Sequence, residues 1–173
     1  MPPQDDFAAV LLTEIETGWP ATARPSQLAP PDPWAIWLIL AGRGWGKTRT
    51  GAEFVLSRVL AGAAERIALV APTAADARDV MVEGQSGILA VAPPWFRPVY
   101  EPSKRRLTFP NGATATTFSA EEADRLRGPQ HDLAWCDEIA AWRDPMAWDM
   151  LAFGMRWGAI RRPASLRHHD QQS

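Results

Sequence analysis

The run Leu38-Ile39-Leu40-Ala41-Gly42-Arg43-Gly44-Trp45-Gly46-Lys47-Thr48 constrains this chain more than any other stretch. The apolar segment Ile36 to Ala41 predicts a buried strand over about 35–41. A glycine-rich turn follows, and Lys47 and Thr48 open a segment with helical character. Strand, glycine loop and helix start, in that order, make a cradle for a phosphate chain. Gly42, Gly44 and Gly46 let the backbone curl so that several N–H groups face one anion. The positive end of the helix dipole adds to them. In such a loop Lys47 would reach the β- and γ-phosphates of a nucleotide, and the Thr48 hydroxyl would ligate Mg²⁺. The pattern departs from G-x-x-x-x-G-K-[ST] at one point. Its first glycine position holds Ala41, and Gly42 comes one residue late. The competing reading is a glycine-rich strand-to-helix turn with a surface lysine. The flanking strand and helix signals favour the phosphate loop.

The rest of the chain alternates in the way an α/β fold requires. Phe7, Val10, Leu11 and Ile15 recur at helical spacing, which predicts a helix over 7–18 ended by Gly18. Five prolines between Pro20 and Pro33 forbid regular structure and predict an extended lead-in. Within it, Gln27 stands upstream of the loop. Its amide offers the donor and acceptor that an adenine edge needs, and a solvated loop glutamine is the other reading. A helix is predicted over 47–61 with Gly62 as its stop. Arg66 to Ala71 is a continuous apolar run and suits a strand buried on both faces of a parallel sheet. Thr73 caps a helix over about 74–82. Residues 84–103 are proline-bearing and irregular, and Pro110-Asn111-Gly112 between two β-type runs predicts a hairpin. The fold class that follows is α/β: a mainly parallel sheet flanked by helices, with an inserted β-hairpin.

Leu133-Ala134-Trp135-Cys136-Asp137-Glu138 is the second informative stretch. A short apolar strand ends in two carboxylates, and in a parallel sheet the carboxyl ends of strands line the ligand crevice. Asp137 would then hold Mg²⁺ through water. Glu138 would orient and deprotonate an attacking water. Taken alone, the pair could equally be the acidic start of the following helix. Residues 138–157 read as helical, with Pro145 at a helix start and Trp148, Leu151 and Met155 on its apolar face. From Ala159 onward periodicity stops, which predicts a disordered tail over 159–173.

Composition sets bounds. With 173 residues the chain can bury a core, and its net charge of −2 gives no global basic field for nucleic acid. One cysteine excludes an internal disulfide and a cysteine zinc site. No run is long and apolar enough for a membrane helix, and the acidic N-terminus is no secretory signal. These features predict a soluble cytoplasmic protein with no membrane partner. Nine tryptophans are expected mostly in core or interface. Lys104-Arg105-Arg106 is a short basic cluster of the kind that more often decorates a strand edge than binds DNA.

Over residues 20–157 these motifs together resemble the large terminase subunit of tailed phages and gene transfer agents. The likeness lies in the loop and its continuation Arg49-Thr50-Gly51-Ala52-Glu53, in Ile67 to Thr73, in Arg106 to Ala113, in Leu126-Arg127-Gly128-Pro129-Gln130 and in the pair Asp137-Glu138. The resemblance implies a P-loop ATPase of the ASCE type (residues 34–158) that uses ATP and Mg²⁺ to drive double-stranded DNA into a procapsid. Its partners would be a portal, a small terminase subunit and copies of itself in a ring. It implies a γ-phosphate role for Arg43, with a salt bridge that shapes the loop as the other reading, and nucleotide contacts for the loop as a whole, Trp45 included. Arg127 would face nucleotide or a neighbouring subunit. The family's nuclease domain has no counterpart here, which leaves a non-catalytic nucleotide-binding remnant as one alternative; a related helicase-type ATPase is another, since Asp-Glu after a strand occurs in those P-loop classes too.

Overall fold

The computed structural model describes residues 18–31 and 33–156. The helix predicted over 7–18 and the tail predicted over 159–173 lie outside them, Gly18 apart. In chain order the helices are α1 (Trp19–Thr22), α2 (Lys47–Leu60), α3 (Ala74–Asp76), α4 (Ile88–Val91) and α5 (Met146–Gly154). The strands are β1 (Arg66–Ala71), β2 (Val99–Glu101), β3 (Arg106–Thr108), β4 (Thr114–Ser119) and β5 (Leu133–Cys136). A π-helical turn, Ala77–Val82, prolongs α3.

The strands form one sheet in the order β2-β3-β4-β1-β5. β1 is an interior strand, parallel to β4 on one side and to the edge strand β5 on the other. That position explains its continuous apolar run, because both of its faces are covered. Ile67, Leu69 and Ala71 face a core shared with Val55, Val59, Met81 and Phe109. Ala68 and Val70 face a second core with Phe118, Leu126, Ala147 and Leu151. The helices therefore sandwich the sheet. The hairpin is part of this sheet, since β3 and β4 pair antiparallel while β4 also pairs with β1. Its turn is wider than Asn-Gly alone would make: the Phe109 N–H donates to the Ala113 carbonyl at 2.8 Å, and Gly112 takes φ +88°.

The strand predicted over 35–41 is not one. Residues 36–41 are extended and alternate as a strand does, with Trp37, Ile39 and Ala41 half-buried. Ile36, Leu38 and Leu40 are 58, 63 and 86 % exposed. The side chains are those of a strand, but a strand also needs a backbone neighbour, and no ladder forms here among the described residues. Trp37 instead packs edge-on against Phe54 of α2, ring centroids 5.5 Å apart. The lead-in is also less extended than its prolines suggest, because Pro20 and Pro25 sit in the first turns of short helices, where a missing N–H costs nothing.

Beyond β5, the chain returns beside His131 on the edge away from β1. The His131 N–H donates to the Gly154 carbonyl and the Arg156 N–H to the His131 carbonyl, both at 2.9 Å. No described tryptophan is fully buried. Several indoles are instead covered by guanidinium groups, as with Arg49 over Trp19 at 5.7 Å and Arg58 over Trp34 at 6.0 Å.

Candidate nucleotide site

Two carboxyl-terminal strand ends and one helix start meet at a single mouth. α2 begins at Lys47 after Gly46, which takes φ +91° and ψ 28°. Only glycine enters that region without a Cβ penalty. No side chain caps the helix. Its first N–H groups are therefore left to whatever binds in front of them. Gly44 also has positive φ, and Gly42 and Arg43 are exposed beside it. Thr48 and Trp45 are half-buried.

The Lys47 ammonium donates to the Ala41 carbonyl at 2.9 Å and stands 3.5 Å from Glu138 Oε1. One lysine thus touches the end of the extended segment, the loop it belongs to and the acidic pair after β5. Glu138 is held in the left-handed region, φ 44° and ψ 48°, which is uncommon for a residue with a side chain. Asp137 is half-buried; its N–H donates to the Val70 carbonyl at 2.8 Å, and the Asp137 carbonyl accepts from the Trp142 indole N–H at 3.0 Å. Burial pushes the Asp137 carboxyl above the usual range, and the charges of Glu138 and Asp76 push the same way against Lys47. A cation in front of Asp137 would relieve that strain. Thr48 and Asp137 offer hard oxygen donors of the sort Mg²⁺ takes. Among the described residues no three His, Cys, Asp or Glu side chains could hold a metal by themselves. Burial, then the charge of Asp137, pushes the neighbouring Cys136 thiol up to about 12, which favours its protonated form.

Three features of the mouth escape the sequence. Asp76 lies close enough to bias Asp137, although its spacing from Thr73 shows only a helix cap, which it also makes. Arg24 donates to the Trp45 carbonyl, and nothing in its surroundings in sequence hints at this. Gly51 abuts Trp135 of β5 so closely that a Cβ would fall 2.3 Å from the ring. Gln27 is buried rather than solvated, with both ends of its amide engaged by backbone. Arg127 is exposed. The basic cluster is neutralised locally: Lys104 and Arg106 pair with Glu101, and Arg105 with Glu122.

No curated protein matches this chain. Among solved structures, it is similar to the large terminase ATPase domain of a Thermus phage, at 20 % identity and a TM-score of 0.49. That match covers 65 % of this chain and 53 % of the other, so the chain spans about half the length of the domain it resembles. No helix among the described residues is long and apolar enough to cross a membrane. Residues 38–169 match the family model described as the N-terminal part of the T4likevirus-type large terminase subunit. That match takes in both the loop at 42–48 and the acidic pair at 137–138, and it covers well over half of the sequence: the chain belongs to the large terminase subunit family.

Proposed function

We propose that this chain is the ATP-binding and ATP-hydrolysing part of a DNA-packaging motor. The observation that carries the reading is the 3.5 Å approach of Lys47 to Glu138 in front of the uncapped start of α2. A cation, a fan of free N–H groups and two carboxylates then share one mouth, which is what a triphosphate and its attacking water require. The N–H groups of the loop 42–48 and the Lys47 ammonium bind the phosphate chain. Thr48 and Asp137 would hold Mg²⁺, which when bound neutralises charge on the phosphate oxygens. Glu138, once Lys47 turns to the phosphates, orients the water and takes its proton. Arg43 is exposed within the loop and adds positive charge where it develops at the γ-phosphate. Double-stranded DNA, a portal and a small terminase subunit are the partners that membership of the family suggests.

Two variants test this. Lys47→Ala abolishes Mg²⁺-ATP binding measured by calorimetry. Glu138→Gln keeps binding and removes phosphate release. Unaltered ATP affinity in Lys47→Ala overturns the site. Phosphate release by the unmodified chain that does not exceed the Glu138→Gln background rejects hydrolysis and leaves a nucleotide-binding remnant.

A further inference from the structure

Gln27 is 8 % exposed, although Pro25 and Ser26 before it and Leu28 after it are exposed. Its amide is used in full view of the loop. Oε1 accepts the Arg24 N–H at 3.0 Å, and Nε2 donates to the Trp45 carbonyl at 3.0 Å. The Arg24 guanidinium donates to that same carbonyl and lies 5.4 Å over the Trp45 ring. Two side chains from one short helical turn therefore grip a single oxygen of the loop. A trans peptide carries its C=O and its N–H on opposite sides. Pinning the Trp45 oxygen toward Gln27 turns the Gly46 N–H the other way, at the residue just before α2. Gly46 answers to the same constraint, because a Cβ there would sit 2.9 Å from Gln27 Nε2.

We infer that Gln27 and Arg24 are positioning residues, which set the Trp45–Gly46 peptide so that the loop receives a polyphosphate without rearranging. This rests on the reading of 42–48 as a phosphate loop. Binding gains because the ordering cost is met before the ligand arrives. The benefit goes to the phosphate chain whatever base is attached to it. A glutamine that instead reads adenine would discriminate between bases.

The test measures binding of ATP, GTP and inorganic tripolyphosphate, each with Mg²⁺, to the chain and to Gln27→Ala, Gln27→Glu, Arg24→Ala and Lys47→Ala. Loss of one hydrogen bond that aims the loop lowers affinity about tenfold. Gln27→Ala is expected to weaken all three ligands by that common factor, with the ATP-to-GTP ratio unchanged. Gln27→Glu keeps the shape and the acceptor but loses the donor to the Trp45 carbonyl, so it does no better than alanine. Where ATP turnover is followed, KM rises and kcat holds. A changed ATP-to-GTP ratio with tripolyphosphate binding intact overturns the inference in favour of base reading. Unchanged affinities overturn it outright. If Gln27→Ala does not fold, the exposed Arg24→Ala carries the same base-independent loss, about threefold. Normal tripolyphosphate binding by Lys47→Ala sinks the phosphate-loop reading itself. Loss in Lys47→Ala beside normal binding in both the Gln27 and the Arg24 variants sinks only the positioning role.

Discussion

Replacing Gly51 by alanine sets two well-measured effects against each other. Gly51 is buried inside α2, facing Trp135 of β5. In an exposed helix interior the change would stabilise by about 0.8–1.0 kcal/mol, because glycine is the poorer helix former. Here the new Cβ would lie 2.3, 2.5 and 2.7 Å from Trp135 Cε2, Nε1 and Cζ2. Carbon atoms pack at about 3.5–4.0 Å, so helix and ring must separate by roughly 1 Å. These three atoms belong to the rigid body of an indole, not to a flexible tip, and that indole lies on a strand hydrogen-bonded to β1. Overpacking of this kind costs about 1–3 kcal/mol. A Cβ this deep inside a rigid ring belongs in the upper half of that range, about 2–3 kcal/mol, where the clash outweighs the propensity gain and leaves an expected net loss of about 1–2 kcal/mol. For a domain of this size that is a fall of about 3–8 °C in melting temperature. Urea titration followed by tryptophan fluorescence and by circular dichroism measures it. Gly51→Ala combined with Trp135→Leu should recover part of the loss, since the bulk that collides is gone. A Gly51→Ala chain with a raised urea midpoint would refute the reasoning, because propensity would then have won and the approach of α2 to β5 could not be as close as described.

Two further outcomes follow from groups outside the mouth. His131 is buried with Nε2 unpartnered, and burial, then the charge of Arg66, push its pKa down against Asp132. A folded-state pKa below the unfolded value of about 6.5 means that stability is present above that pH and is lost as pH falls toward the folded value. His131→Leu should flatten that acid-side loss in melting curves taken from about pH 7 to pH 5; an unchanged slope would assign the acid sensitivity elsewhere. Asn111 donates to the Val59 carbonyl at 2.9 Å, tying the hairpin turn to the last turn of α2. Asn111→Ala should cost about 1 kcal/mol by urea titration without altering the signal of the folded state, and a loss under a few tenths would show that water replaces the amide.

The loop and the acidic pair were legible because each is local. Glycines at 42, 44 and 46, then lysine and threonine, are a backbone requirement and a charge requirement written in adjacent positions. β1 was legible as well, since a strand covered on both faces has no reason to alternate. The helix from Lys47 showed its start and its stop. Residues 35–41 mark where this fails. Their composition is that of a strand, yet strand formation is a property of two backbones, and a sequence names only one of them. The hairpin shows the same limit: its turn was readable, but nothing local said that β4 would pair with β1 and so join the main sheet.

What the sequence determined by itself is the chemistry available: a glycine-rich loop, one lysine, one hydroxyl and two carboxylates. What only the tertiary structure decided is their meeting. Lys47 and Glu138 lie ninety-one positions apart in the numbering and 3.5 Å apart in space. Burial of Asp137, the left-handed turn at Glu138 and the grip of Gln27 and Arg24 on the Trp45 carbonyl arise from the same cause. Contact and dielectric depend on what surrounds a group, and the surroundings are assembled from distant parts of the chain only when the sheet closes over its cores.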